Sequence, residues 1–393
     1  MYKIILTVCI FFLSQLAFAQ QIIFGTNNYV EYHVGTLPFV ISVPHGGSLV
    51  PGSIPDRTCN NPVFAKDGLT IETALEIKNY LYQITGCYPH LIISNLRRTK
   101  LDPNRNIADA ACGNSEAETA WNEFHNFITT ARNAANQAYN FKTFFVDLHG
   151  HGNPIERIEL GYLLYDDELE LPDATLNTAQ YINYSSIKNL ANSNKNNYTH
   201  AQMLKGSKSF GTMLVDKGYQ AVPSQDIPFP GTTTNYYSGG YITANHTCYS
   251  SGAPINGLQM ELNYSGVIDT PPNRVLFAKA FSEVLFDYLN THFDMNWNAC
   301  QPLSAEKELK ESGEVYLYPN PALKGDFVCL NHLGEGVYFY QVLNALGQEL
   351  KSGEISSDNN RINTEILHSG IYFLHLSQPE KQQRVLLKLL LNE

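Results

Sequence analysis

The 393-residue chain is poor in charge, and the charge it has is lopsided. Its 37 acidic residues against 26 basic ones leave a formal net charge of −11. An acidic surface argues against nucleic acid and anionic membranes as partners. Several familiar signatures are also missing. There is no Gly-x-Ser-x-Gly turn for a serine nucleophile. There is no His-Glu-x-x-His pair for a thermolysin-like metal site, and no P-loop or dinucleotide fingerprint. None of the seven cysteines stands in a Cys-x-x-Cys pair, so a thiolate zinc site has no support. After the first twenty residues no apolar run is long enough for a membrane span.

At the amino terminus Lys3 precedes the apolar run Ile4–Leu13, and "AFA" at 17–19 supplies small residues at the cleavage positions. Residues 1–19 therefore read as a secretory signal peptide. Cys9 lies inside the run and not at its end, which argues against a lipoprotein. Cleavage would remove one lysine and move the charge from −11 to −12. Six cysteines remain, at 59, 87, 112, 248, 300 and 329. Export makes disulfides among them the expectation, and the five that precede the tail leave one over.

Between residues 21 and 298 short β-rich runs alternate with helical patterns. The strand candidates are "FVISVP" (39–44), "LIISNL" (91–96), "TFFVDLHG" (143–150), "IELGYLLY" (158–165) and "LQMELNY" (258–264). Helices are expected over 67–83, 116–139, 207–217 and 273–292. Near-continuous apolar strands separated by amphipathic helices predict an α/β domain with a mainly parallel mixed sheet flanked by helices. Ligands of such sheets bind beyond the carboxyl ends of the strands. There the sequence places His45, Arg97 and Arg98, His149 and His151, with Glu261 late in its strand. The segment 301–314 is polar, charged and free of aromatics, as a linker would be. Beyond it, "VYLYPNP", "GVYFYQVLN", "GIYFLHLS" and "RVLLKLLL", separated by turn signals at 345–349 and 356–360, predict a small all-β sandwich over 315–393.

Imidazole and carboxylate suit Zn²⁺, whose catalytic sites use three protein ligands. Asp147 could hydrogen-bond a ring nitrogen of such a site, and it shares a face with His149 for as long as the strand persists. Other residues have two readings. Asp67 before Gly-Leu-Thr is a ligand or an ordinary helix cap, with Glu72 as the alternative carboxylate. Asp102 is a turn residue or a chemical one. His125 belongs to the packing of its helix, and His246 carries little signal. "YYSGGYITANH" (236–246) suits a mobile substrate loop in which Tyr241 either closes over substrate or packs.

Two family resemblances rest on these residues. "YPNP" at 318–321, "VYFYQVLNALGQELKSGEI" at 337–355, "LHSGIYFLHLS" at 367–377 and Lys388 among leucines resemble the carboxyl-terminal sorting domain of the type IX secretion system of Bacteroidota. That resemblance implies export across both membranes, with the tail removed or exchanged for a surface anchor. "VPHGG" (43–47), "KDGLTIETAL" (66–75), "RRTKLDPNR" (97–105), "DLHGHG" (147–152) and "QMELNYSG" (259–266) resemble, in order, the N-formylglutamate amidohydrolase family. More remotely they resemble the zinc carboxypeptidases and aspartoacylases of the same fold. This resemblance spans about 40–270 and makes residues 20–300 a zinc amidohydrolase-like catalytic domain.

It implies one zinc ion held by His45 and His149, with Asp67 as the third ligand. The carboxypeptidase pattern puts a glutamate three residues after its first histidine, where this chain has Ser48. The resemblance further implies Glu261 as the general base and Arg98 as the group that polarises the scissile carbonyl. Asn104 and Arg105 would hold a substrate carboxylate, and His151 would line the pocket. The expected activity is hydrolysis of an amide next to a carboxylate-bearing group, in an N-acyl amino acid, a γ-glutamyl compound or a cell-wall peptide. N-formylglutamate itself is a cytoplasmic intermediate and does not suit an exported enzyme. The rival reading is a cell-surface binding protein that keeps the fold without turnover.

Overall fold

The computed structural model describes residues 20–231, 235–250, 254–293, 315–331, 333, 336–344, 349–378 and 383–392. The signal peptide, the linker at 301–314, Cys300 and the turn at 345–348 lie outside the described residues. The chain forms two compact units, Met1–Gln301 and Pro302–Glu393.

The first unit is built on a mixed sheet of β1 (Ile22–Phe24), β2 (Val30–His33), β3 (Phe39–Val43), β4 (His90–Ser94), β5 (Phe144–His151), β6 (Ile158–Gly161), β7 (Ala221–Val222) and β8 (Asn256–Asn263). Its order is β1-β2-β4-β3-β5-β8-β6-β7. The centre, β4-β3-β5-β8, is parallel. The pairs β1/β2, β2/β4 and β6/β8 are antiparallel. The antiparallel edge β1–β2 has no counterpart among the sequence-based strands. The run 158–165 is a strand only to Gly161, because Leu163 turns the chain in a left-handed conformation (φ 67°).

Helices cover both faces: α1 (Thr70–Thr85), α2 (Ile107–Ala111), α3 (Ser115–Tyr139), six short helices α4–α9 (Asp166–Leu169, Asp173–Leu176, Ala179–Tyr184, Lys188–Ser193, His200–Lys205, Phe210–Asp216), α10 (Tyr241–His246) and α11 (Pro271–His292). Strand alternation sorts the core. Phe144, Val146 and Leu148 of β5 join Leu258, Met260 and Leu262 of β8 in one cluster with Ala74 and Ile77 of α1 and Phe281 of α11. Phe145, on the other face, packs with Ala120, Phe124 and Ile128 of α3. That stripe explains α3: each large side chain in it contributes about 2 kcal/mol by burial, and Asn114 caps the start by accepting from the Ala117 N–H. On the α3 face of β5, Asp147 and His149 continue the row that Phe145 begins. The alternation holds because β5 runs on to His151.

Cys59 and Cys112 form a disulfide. Cys87 is disulfide-bonded as well. Cys248 is a free buried thiol, and Cys329 is also free. Among the described residues no helix is long and apolar enough to cross a membrane.

The second unit has a five-stranded sheet, β10-β16-β15-β12-β13, and a three-stranded one, β14-β11-β9. The strands are β9 (Tyr316–Tyr318), β10 (Ala322–Leu323), β11 (Phe327–Asn331), β12 (Val337–Leu343), β13 (Glu349–Ser356), β14 (Arg361–Asn363), β15 (Gly370–Gln378) and β16 (Gln383–Asn392). Both sheets contribute to one apolar core, with Val328 and Leu330 from the smaller and Tyr338, Val342, Leu374 and Leu376 from the larger.

Candidate metal centre

Three segments deliver the site. His45 follows β3, Asp67 precedes α1, and His149 ends the apolar part of β5. All three are buried, and one ligand atom from each lies within 4.8 Å of the other two. Asp67 Oδ2 stands 3.2 Å from His45 Nδ1 and 3.0 Å from His149 Nδ1. The two rings meet edge to face with centroids 4.8 Å apart. Gly46 and Gly47 let the chain pass close: a Cβ on Gly47 would meet the Asn95 backbone at 2.4 Å.

The far nitrogen of each ring is fixed by a buried acid. His45 Nε2 donates to Asp102 Oδ1 (2.7 Å) and His149 Nε2 donates to Asp147 Oδ2 (2.9 Å). An ionised carboxylate only accepts, so each Nε2 keeps its hydrogen and each Nδ1 faces Asp67. These acids are themselves held. Ser42 donates to Asp147 Oδ1 (2.6 Å). Asp102 Oδ2 receives Arg98 Nε (3.0 Å) and Arg105 Nε (3.2 Å), with Arg57 Nη2 at 3.5 Å.

Glu261 sits opposite His149 in the β5–β8 register, with Oε1 3.8 Å from His149 Nδ1 and accepting from Gln259 Nε2 (2.9 Å). Burial first, then the negative charge of Asp67, pushes its pKa up to about 7, against the pull of His149 and His45. Burial works against ionised Asp67 too, yet the charges of His45 and His149 hold it well below the carboxylate range. Burial alone would lower His149, but Asp147 and Glu261 raise it well above the usual imidazole value. The site thus draws positive charge. Ligand atoms of a tetrahedral zinc stand roughly 3.3 Å apart, close to the two separations at Asp67 Oδ2. Two Nδ1 atoms, one carboxylate oxygen and a local excess of negative charge form a donor set that fits a divalent cation.

Of the two readings of Asp67, the cap is excluded. The residue before α1 is Leu69, with no side-chain cap bond. Glu72, the alternative carboxylate, is exposed on the first turn of α1. Arg98 does reach the centre, with Nη1 3.8 Å from Asp67 Oδ1. Arg105 is more exposed than Arg98, with its head beyond the same acid.

Asn104 keeps a place at the centre, and two other expectations need correction. Asn104 Nδ2 stands 3.5 Å from His149 Nε2, while its Oδ1 accepts from the Ile242 N–H (2.8 Å) and a Cβ on Gly240 would collide with its amide. His151 does not face the centre with a free nitrogen, because Nε2 donates to Arg157 O (2.8 Å) and Nδ1 accepts from Asn153 N (3.1 Å). It shapes the loop after β5. Segment 236–246 is not one mobile loop, since α10 occupies its second half. There Tyr241 packs against Trp121 and His125.

Sequence reasoning left one further group open and missed another. Asp102, for which a turn and a chemical role had both stood open, is fully buried at the junction of His45 and three arginines. Tyr237, four residues before Tyr241, donates its backbone N–H to Glu159 Oε2 (3.1 Å). Its phenol is raised by burial and then by Glu261, Glu159 and Asp67, and lowered by Arg98, so it borders the same cluster. Nothing in the Tyr- and Gly-rich segment distinguished the two tyrosines.

Residues 316–390 match the family described as the secretion system C-terminal sorting domain. The second unit is thus a type IX sorting domain, which engages the type IX machinery and directs export to the cell surface or the extracellular space. Over 64 residues the chain is 36% identical to beta-agarase A of Zobellia galactanivorans, a stretch covering 16% of this chain and 11% of the agarase. The chain therefore spans about a tenth of the length of that curated relative. A solved chain of PorZ, described as an essential bacterial surface component of the type IX secretion system of Porphyromonas gingivalis, is matched over 23% of this chain and 13% of its own. Its identity is 21% and its TM-score 0.18, too low to carry an argument about fold.

Proposed function

We propose that residues 20–300 are a zinc-dependent amidohydrolase resembling the N-formylglutamate amidohydrolases, with a zinc carboxypeptidase-like fold. It would cleave an amide bond next to a carboxylate-bearing group outside the cell. The observation that carries this reading is the convergence of two Nδ1 atoms on Asp67 Oδ2, each ring being locked through Nε2 by its own buried acid. His45, Asp67 and His149 would hold the ion. Bound there, zinc supplies a Lewis acid for water and for the scissile carbonyl.

The protein's own groups do the rest. Glu261, poised near neutrality, takes a proton from the attacking water and passes it to the leaving nitrogen. Arg98, tethered through Nε, directs Nη1 towards the centre, where charge grows on the carbonyl oxygen. Asp102 faces three guanidinium groups and His45, so the positive charge around it exceeds its own single negative charge. That surplus favours a substrate carboxylate near Arg105.

Metal analysis with hydrolysis of a panel of N-acyl amino acids and γ-glutamyl compounds tests the reading. One zinc per chain is expected in wild type and in Glu261→Gln, with turnover lower by about 10²–10⁴-fold in the variant. A chain that purifies without stoichiometric metal sinks the proposal. Equal behaviour of the two zinc-loaded proteins would leave a binding protein.

A further inference from the structure

One face of α3 carries His125, Thr129, Arg132 and Asn136, at successive spacings that keep them in a row. Three of the four are well partnered, Thr129 by donating to His125 O (2.9 Å). Asn136 accepts from Thr143 Oγ1, and His125 bridges Pro103 O (3.0 Å) and His246 Nε2 (2.6 Å). Arg132 is not. It is 6% exposed, and its Nε and Nη1 have no hydrogen-bond partner among the described residues. Nη2 reaches Thr129 Oγ1 only at 3.5 Å. Burial lowers its pKa to about 10, and no acid offsets that effect. A buried cation without a counter-charge costs several kcal/mol.

The neighbouring groups supply no counter-charge. His125 Nε2 must donate to a carbonyl, so its Nδ1 is bare and His246 must donate from Nε2. This leaves His246 Nδ1 buried and unpartnered, with Arg132 among its electrostatic neighbours. Three residues earlier on α10, the Thr243 hydroxyl is fully buried and also unpartnered. A water could satisfy the hydrogen bonds but not the charge.

We propose that Arg132 anchors a buried site for one small inorganic anion, of chloride size, between α3 and α10. The guanidinium supplies both the charge and the donors, through Nε and Nη1. The burial of Arg132, 6% exposed, suits a monatomic ion rather than a substrate-sized one. Asp147 lies near His125 but contributes nothing at Arg132, where burial alone acts, so it is not the counter-ion. Because Pro103 and α10 also flank Asn104, the anion would brace the wall of the metal centre without entering it.

The full chain, with or without zinc, is melted in sodium chloride, bromide and gluconate at equal ionic strength, and crystals are grown in bromide. The halides are expected to raise Tm saturably over gluconate, by about 3 °C or more, with an anomalous bromide peak beside Arg132. Arg132→Met should lose the halide-specific shift. If that variant fails to fold, the wild-type crystal and melts still decide. Identical melts in all three salts with no peak would mean water alone and overturn the proposal. A peak without a shift would mean binding at crystal concentration only, with the same consequence. The readout needs neither zinc nor substrate, so failure of the metal centre would leave it standing.

Discussion

Among the described residues, five carboxylates lie buried in the first unit, at Asp67, Asp102, Asp147, Glu159 and Glu261, whereas the buried polar residues of the second are Thr364 and Gln378. The second unit is held by apolar packing between two sheets, the economical way to stabilise a small domain. The first places acids and imidazoles where water cannot reach them, against their solvation preference. Such an arrangement destabilises a protein unless the charges find partners, and here the partners converge on one cation-sized position. On the function proposed above, the contrast separates a unit that does chemistry from one that serves as an address. Each can be perturbed without the other.

The largest effect should come from the ligands. His149→Ala is expected to abolish stoichiometric zinc and all hydrolysis, by metal analysis and assay, while export through the tail continues. Asp102→Asn comes next. It leaves three arginines facing a neutral amide, so zinc affinity should fall about 10–100-fold. Unfolding should become easier by about 3 kcal/mol or more, read by denaturant titration.

Acid should act on the first unit alone. His90 Nδ1 accepts from both Tyr32 OH (2.7 Å) and Gly35 N (3.2 Å), and burial pushes His90 down to about 4, as it does His125. Below about pH 6.5 the unfolded chain therefore binds more protons than the native one. Stability is complete above that pH and is lost as pH falls towards 4, by up to about 3 kcal/mol for each histidine. His90→Gln should flatten the slope in urea titrations across this window. In the tail His368 is exposed and His375 half-buried, so its packing should not respond. The smallest expected effect sharpens the comparison most. Deleting residues 315–393 should prevent export yet leave zinc content and kcat/KM of the purified protein unchanged.

How far the site was legible follows from the range of the interactions concerned. His45, His149 and Glu261 could be placed at strand ends because alternation and strand length are local properties. Asp67 stayed ambiguous because a cap and a ligand look alike until the start of the helix is known, and that start is Thr70. Tyr237 was missed, Asp102 stayed open between a turn and a chemical role, and His151 was misassigned, for a common reason. Which way a loop side chain turns depends on backbone groups far off in the chain, such as Arg157 O for His151 and Ile242 N for Asn104.

Export, the two-part organisation and the parallel centre of the sheet were determined by sequence alone, since apolar patterning and the motifs of the tail are carried by contiguous residues. The edge strands β1 and β2, the helix inside segment 236–246 and the pairing of Cys59 with Cys112 were decided only by tertiary structure. So was the meeting of His45, Asp67 and His149. Up to 104 residues separate the outer two of these, and it is the register of β3 against β5, with Ser42 beside Asp147, that brings their rings to a common carboxylate.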